Sequence, residues 1–146
     1  MNSTAAPACE AAFRLDPQLA RDTLALGDLP LSRALLMNDA NFPWLILVPR
    51  HPGAVEIFDL DEGARAQLMR EITQVAQRLK TLTGCHKVNI AAIGNVVAQL
   101  HVHVIARRRD DPVWPRPVFG AMPARPYEEA ERKALAERLR RQLDLG

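Results

Sequence analysis

Two histidines share one alternating segment, residues 99–105 (QLHVHVI), and they are two of the four histidines in the chain. Side chains on a β-strand point to opposite faces in turn. A strand here would place Gln99, His101 and His103 on one face and the intervening apolar side chains on the other. The Cα atoms of the two histidines would lie about 7 Å apart. The pattern predicts one buried apolar face and one face with two groups that titrate near neutral pH.

Two imidazoles on one strand face are suited to chemistry at phosphorus. A neutral imidazole nitrogen is nucleophilic near pH 7, because the unperturbed pKa of histidine is about 6.5. A second imidazole can donate a hydrogen bond to a phosphate oxygen or help the leaving group to accept a proton. Gln99 can orient a substrate or a ring, although its amide does not titrate.

The same pair is compatible with two other interpretations. A metal site would need a third protein ligand and usually a fourth. His51 and His86 could serve only if the fold brings them close, and the segment itself contains no carboxylate. The remaining interpretation is two polar residues on a solvated sheet face. From the residues alone, all three interpretations remain open.

Composition indicates a single soluble globular domain. The chain has 146 residues, of which 48% are hydrophobic and 25% charged, and its net charge of +2 is too small to indicate nucleic acid binding. No apolar run is long enough to span a membrane. Residues 1–12 lack the pattern of a secretory signal, and we expect a flexible tail there. Cys9 and Cys85 are too few for a disulfide framework, which favours reduced thiols in the cytoplasm.

Apolar segments between turn residues predict the strands. They are residues 24–30, 31–37, 44–48, 87–93 and 97–107. A four-three-four-three spacing predicts a long helix, capped by Asp59 or Asp61 and ended by Gly84; its stripe is Leu68, Ile72, Val75, Leu79 and Leu82. Residues 15–23 are weakly helical, and residues 127–143 predict a C-terminal helix.

The order of these elements favours an α+β fold with a mostly antiparallel sheet of about five strands. The long helix would cover the apolar face of the histidine strand. The opposite face, at the centre of the sheet, would then form the floor of a pocket. Residues 110–122 are rich in proline and are not expected to form regular structure.

The histidine segment and its surroundings resemble the histidine triad (HIT) superfamily. The signature of that family is His-φ-His-φ-His-φ-φ, where φ is apolar, and an apolar strand ending in proline lies upstream. Here residues 99–105 carry the signature, residues 94–98 (GNVVA) precede it, and residues 47–50 (LVPR) supply the upstream strand end. The resemblance covers roughly residues 31–114. It is greatest to the bacterial HIT-like group in which glutamine takes the first histidine position.

The resemblance implies a single HIT-like domain over residues 13–146, a homodimer, and roles for the site residues. His101 would be the nucleophile that takes a nucleoside monophosphoryl group, and His103 would contact phosphate. Asn38 is placed like a ligand of the ribose hydroxyls, and Asn95 lies where a polar side chain meets the phosphate. No metal or other cofactor is implied for the chemical step.

Three further residues are candidate substrate contacts. Trp44 lies five residues before Pro49, where many family members carry another histidine, and it would either line the pocket or belong to the core. Arg107 would contact phosphate or pair with Asp110 or Asp111. Trp114 resembles the tryptophan of a tryptophan-proline tail that approaches the partner's site in some dimeric members, and it could equally be a packing anchor.

The implied activity is hydrolysis or nucleotidyl transfer at the α-phosphate of a purine nucleoside phosphoramidate or a dinucleoside polyphosphate, through a covalent histidine-nucleotidyl intermediate. Gln99 removes one titratable group from the signature, and Trp44 stands in place of another histidine. The alternative is therefore a nucleotide-binding protein without efficient turnover. Neither interpretation involves nucleic acid or a membrane.

Overall fold

A computed structural model describes residues 12–145 of the chain. These residues form one antiparallel sheet in the strand order β1-β2-β3-β5-β4. The strands are β1 (Thr23–Asp28), β2 (Ser32–Met37), β3 (Trp44–Pro49), β4 (Lys87–Ala91) and β5 (Val102–Arg107), and the α-helices are α1 (Pro17–Asp22), α2 (Glu62–Thr83) and α3 (Glu129–Gln142). The predicted α+β class and five-stranded sheet are confirmed. The predicted tail over residues 1–12 lies, apart from Ala12, outside the described residues.

The long helix α2 begins and ends at residues that the sequence marks. Asp61 is its N-cap and accepts a hydrogen bond from the backbone N–H of Ala64 at 2.8 Å. Gly84 ends the helix with φ 63°, in the left-handed region that glycine tolerates. Asp59, the other candidate cap, instead closes a 3-10 turn at Ile57–Asp59, where its carboxylate accepts from two backbone N–H groups.

The apolar stripe of α2 covers one face of the sheet, as the helical spacing predicts. Its side chains pack with Val102 and Val104 of β5 and with Leu139 of α3 in one buried cluster. A buried carboxylate, Glu71, connects the same helix to the β1–β2 turn, because it accepts from the backbone N–H groups of Leu31 and Ser32 at 2.8 and 2.9 Å. The helix is therefore attached to the sheet by apolar packing and by one charged hydrogen-bonded group.

The opposite face of the sheet carries a second apolar cluster. Its strand residues include Ile46 and Ile105, and it is covered by α1 and by the proline-rich segment after β5 through Leu19, Val113 and Val118. Because this cover is incomplete at the centre of the sheet, a cleft remains there, on the side away from α2 and α3.

The histidine strand is shorter than predicted. The sequence predicts a strand over residues 97–107, but β5 begins only at Val102. Residues 97–101 run outside the sheet ladder, and the backbone N–H of Leu100 bonds the carbonyl of Ala54 at 2.9 Å. Strand alternation therefore does not apply to Gln99, and the predicted common face of Gln99, His101 and His103 was wrong for Gln99.

Candidate functional site

The cleft has a volume of about 350 Å³. Strands β2, β3 and β5 form its floor with Met37, Trp44, Ile46 and His103, and His101 joins them from the position just before β5. Helix α1 forms one wall, and residues 93–97 with Phe119 and Gly120 form the others. Both histidine side chains reach this single cleft, although each residue is 7% exposed. The site is thus a largely apolar hollow with two imidazoles in its floor.

A hydrogen bond of the His101 ring defines its tautomer. Its Nδ1 lies 2.7 Å from the backbone carbonyl oxygen of Gln99. A carbonyl oxygen only accepts, so Nδ1 must carry the proton and donate it. In the neutral ring, Nε2 then holds an available lone pair, which is what a nucleophile requires.

His103 has the complementary tautomer. The indole Nε1–H of Trp44 donates to Nδ1 of His103 at 3.0 Å, so this nitrogen is an acceptor without a proton. The proton of the neutral ring is consequently on Nε2, which can donate. The two ring centroids are 5.0 Å apart with the planes at 76°. One imidazole offers a lone pair and its neighbour offers an N–H group.

Burial keeps His103 neutral. Loss of solvent around the ring, and secondarily the proximity of His101, lower the pKa of His103 to about 4. His103 would therefore bind an oxygen at neutral pH as an uncharged hydrogen-bond donor. Trp44 and Phe119 pack edge-on against the ring, with Phe119 at 4.9 Å and Trp44 at 5.6 Å between centroids.

The rim of the cleft is not cationic. Apart from the histidines, Asp22 of α1 is the one ionisable residue among the described cleft-lining side chains, and none of them is lysine or arginine. Asp22 accepts a hydrogen bond from Gln18 at 2.8 Å. A bound anion would therefore depend on N–H groups rather than on ion pairs.

Gln99 does not enter the cleft, which corrects the predicted catalytic contact of its side chain. Its Oε1 accepts from the backbone N–H of Asp16 at 2.8 Å, and its Nε2 donates to the carbonyl of Arg14 at 2.8 Å. The reason is the bend before β5, which turns this side chain toward the segment that precedes α1.

Arg107 is likewise engaged elsewhere, which does not support its predicted contact with phosphate. It is 1% exposed and forms a two-bond ion pair with Asp111 at 2.7 and 3.2 Å, the alternative that the sequence left open. It also donates to Asn89 and to the carbonyl of Arg116. Burial alone would raise the pKa of Asp111, but its hydrogen bonds to Arg107 and to backbone N–H groups outweigh that effect and lower it.

The other predicted contacts divide between the cleft and its surroundings. Trp44 and Asn95 line the cleft. Asn38 does not, and its Oδ1 accepts from the backbone N–H of Tyr127 at 3.0 Å. Trp114 is also outside the cleft of its own chain, where it packs against His86 and the guanidinium of Arg107.

Sequence reasoning missed the wall residues Leu19 and Asp22 and the aromatic Phe119. Helix α1 is too short to show a strong apolar period. Phe119 lies in a proline-rich stretch without periodicity, and its only signal is a large aromatic followed by glycine. These residues reach the cleft through long-range packing, for which the sequence contains no local pattern.

The structure brings neither of the remaining histidines to the cleft. His51 is exposed in the loop after β3, and His86 accepts from Nε of Arg109 at 3.2 Å. Within residues 12–145, no group of three or more His, Cys, Asp or Glu side chains is arranged to hold a metal ion. Nor does any helix in that range combine the length and apolar character that crossing a membrane requires.

The fold and the site together define an α+β class in which an inner strand of an antiparallel sheet, with the residue just before it, presents two histidines to a cleft. The family model of the HIT domain matches residues 18–110 of the sequence. The chain therefore belongs to the histidine triad (HIT) family, as the sequence resemblance predicts.

Solved structures agree with this assignment. A histidine triad protein from Bradyrhizobium japonicum is 54% identical with a TM-score of 0.88, covering 90% of this chain and 98% of its own. One from Sinorhizobium meliloti is 48% identical with a TM-score of 0.87, at coverages of 89% and 96%. One from Marinobacter aquaeolei is 41% identical with a TM-score of 0.89, at coverages of 91% and 97%. No match was found among curated proteins.

Proposed function

We propose that this protein binds a purine nucleotide conjugate in the His101–His103 cleft and hydrolyses or transfers its nucleoside monophosphoryl group. One observation carries the proposal: the two imidazoles hold complementary tautomers in one hollow, with ring centroids 5.0 Å apart. A phosphoryl group needs a nucleophile on phosphorus and a donor on oxygen, and these two rings supply both. Membership of the HIT family supports the nucleotide as ligand.

In the first step, Nε2 of His101 attacks the α-phosphorus. A phosphorus–nitrogen bond forms, the bond to the leaving group breaks, and the leaving group departs with the bonding electron pair and takes a proton from water. The ring becomes positively charged as it attacks. The carbonyl of Gln99, 2.7 Å from Nδ1, then accepts a stronger hydrogen bond than in the resting state.

In the second step, water attacks the same phosphorus. The phosphorus–nitrogen bond breaks, His101 regains its lone pair, and the nucleoside monophosphate is released as the water loses a proton to solvent. His103 donates from Nε2 to a non-bridging oxygen throughout and does not change its charge. Neither step needs a metal or a cofactor.

The charge of the cleft favours one of the two substrate classes. A dinucleoside polyphosphate carries several negative charges, and the described lining offers Asp22 but no lysine or arginine to neutralise them. A phosphoramidate carries fewer charges, and its amine leaving group is compatible with a nearby carboxylate. We therefore place nucleoside phosphoramidates ahead of polyphosphates.

Incubation with adenosine 5′-phosphoramidate, followed by intact mass spectrometry, tests the enzymatic proposal. Wild type should release AMP and show a transient adenylyl adduct. His101→Ala should show neither, whereas His51→Ala, which alters an exposed histidine away from the cleft, should behave like wild type. A folded wild-type protein with no turnover and no adduct would end the enzymatic proposal.

A nucleotide-binding protein with weak turnover is the second candidate. It is favoured because neither of the two signature residues beside His101 supplies a charged acid for the leaving group: the side chain of Gln99 points away, and burial keeps His103 neutral. Calorimetry with AMP separates the two candidates. Binding retained in His101→Ala, together with no catalysis by wild type, would favour the second.

We further propose that the protein is a cytoplasmic homodimer that uses the free edge of its sheet. Strand β4 is at the end of the strand order, so one side of its backbone has no strand partner in the described chain. Exposed apolar side chains lie on this strand and in the loop that follows it: Ile90 is 51% exposed, Ile93 43% and Val96 94%. An apolar edge of this kind pairs readily with another strand, and a second copy offers the same edge.

Sedimentation analysis tests the dimer. Wild type should have the mass of two chains, and Ile90→Lys should reduce it to one. Met69→Lys provides the matched control, because Met69 is 61% exposed on α2 and should not affect association. A monomeric wild type, or equal masses for the two variants, would contradict the proposal.

A further inference from the structure

The side chain of Gln99 connects two distant parts of the chain. It accepts from the backbone N–H of Asp16 and donates to the carbonyl of Arg14, both at 2.8 Å, across 83 and 85 residues of sequence. A primary amide suits this task, because its oxygen and its N–H group lie side by side. The ring nitrogens of a histidine at this position would point away from each other and could not make both bonds.

The docked segment leads directly into a wall of the cleft. Asp16 is the N-cap of α1, and its carboxylate accepts from the backbone N–H of Gln18 at 2.8 Å. Helix α1 contributes Gln18, Leu19 and Asp22 to the cleft lining. A helix of six residues is too short to be stable alone, so its position depends on its contacts, which include the burial of Leu19 and the docking of its N-terminal end.

Gln99 also contacts the proposed nucleophile, but through its backbone. Its carbonyl oxygen accepts from Nδ1 of His101 at 2.7 Å. The side chain and the carbonyl therefore act on different parts of the site. Replacement of the side chain removes the docking bonds and leaves the carbonyl in place.

We propose that Gln99 is a positioning residue whose side chain docks residues 14–16 and thereby holds α1 as a wall of the His101–His103 cleft. The residue at the first position of the signature then determines the shape of the binding site rather than a chemical step. The nucleotide ligand in this inference rests on the proposed function, whereas the docking of residues 14–16 by Gln99 does not depend on it. It predicts that loss of the amide weakens nucleotide binding and leaves the chemistry of bound substrate intact.

Gln99→Met tests the inference, because methionine keeps the length of the side chain without its strong hydrogen bonds. The Asp16 amide should exchange hydrogen at least about tenfold faster. KM for adenosine phosphoramidate and Kd for AMP should rise about tenfold, with kcat within about twofold. The ¹⁵N signature of His101 Nδ1 should not change. Gln77→Met, on the exposed face of α2, is the matched control and should resemble wild type.

A second variant approaches the same contact from the other side. Asp16→Pro removes the backbone N–H group that donates a hydrogen bond to Oε1 of Gln99. Proline fits the backbone here, since φ of Asp16 is −53°. It also removes the helix cap, so both losses loosen α1, and KM should rise as in Gln99→Met while Gln99 itself is intact.

The outcomes are distinguishable. Unchanged exchange at Asp16 in Gln99→Met would overturn the docking role. Faster exchange with unchanged KM and Kd would overturn the role of α1 as a wall. A fall in kcat at constant KM would place Gln99 in the chemistry instead. A wild type that binds no nucleotide would overturn the proposed function, and the exchange at Asp16 would still decide the docking.

Discussion

The indole of Trp44 donates a 3.0 Å hydrogen bond from Nε1 to Nδ1 of His103, and both residues line the cleft. The two residues are diagonal neighbours on adjacent strands, since Trp44 is paired with Ile105 and His103 with Ile46 in the ladder between β3 and β5. A tryptophan thus does for His103 what the carbonyl of Gln99 does for His101: each bond selects one tautomer. As a result, the neutral ring of His101 has its lone pair on Nε2, whereas the neutral ring of His103 has its proton there.

Trp44→Phe should raise the pKa of His103 above its present value of about 4, because the bond that stabilises the neutral ring is lost and water can approach. An NMR titration of the His103 ring proton would measure the change. Trp114→Phe is the control, because Trp114 packs on Arg107 and His86 rather than on the cleft. Equal His103 titrations in the two variants would show that the hydrogen bond from Trp44 does not stabilise the neutral ring of His103.

The neutral state of His103 should also appear in the pH dependence of stability. The unfolded chain has an ordinary histidine with a pKa of about 6.5, whereas folding lowers the pKa to about 4. Between these values the unfolded state binds more protons than the folded state. The contribution of His103 to the free energy of unfolding is therefore fully present above about pH 6.5 and is lost as the pH falls toward 4. Its size is about 3 kcal/mol.

Urea unfolding at pH 7 and at pH 4.5 would measure this effect. Wild type should lose more free energy of unfolding between the two pH values than His103→Gln, which lacks the titrating ring. His51→Gln should lose as much as wild type, because His51 is exposed. A wild type and His103→Gln with the same pH dependence would show that His103 titrates normally.

The sequence predicted the sheet, the long helix and the pair of histidines, because each depends on a local period. Apolar spacing along α2 and alternation in β5 are visible within a few residues. The contact of Gln99 with Arg14 and Asp16 joins residues more than 80 positions apart, and nothing in the local pattern distinguishes it from a side chain in the cleft. The partners of Arg107 could not be predicted for the same reason. Alternation places Arg107 on the histidine face, but it does not reveal which residues surround the side chain.

Arg107→Lys should reduce stability rather than nucleotide binding. Lysine cannot reproduce the paired bonds to Asp111 together with those to Asn89 and the carbonyl of Arg116. The expected loss is about 2 to 4 kcal/mol in the free energy of unfolding, with Kd for AMP unchanged in the folded protein. Arg108→Lys is the control, since the Arg108 side chain is 58% exposed and pairs weakly with Asp110. A tenfold weaker Kd at unchanged stability would instead make Arg107 a substrate contact.

Glu71→Ala should be among the most destabilising single changes on the helix side of the sheet. The carboxylate is 1% exposed, and it holds the β1–β2 turn through the backbone N–H groups of Leu31 and Ser32. Its removal leaves buried donors without an acceptor, which should cost about 3 to 5 kcal/mol. Glu71→Gln keeps one acceptor oxygen and should lose less.

Urea unfolding would measure both losses, with Glu137→Ala on the exposed face of α3 as the control. Faster amide exchange at Leu31 and Ser32 should accompany the loss in Glu71→Ala, whereas similar stabilities for Glu71→Ala and Glu137→Ala would show that the turn does not depend on this carboxylate.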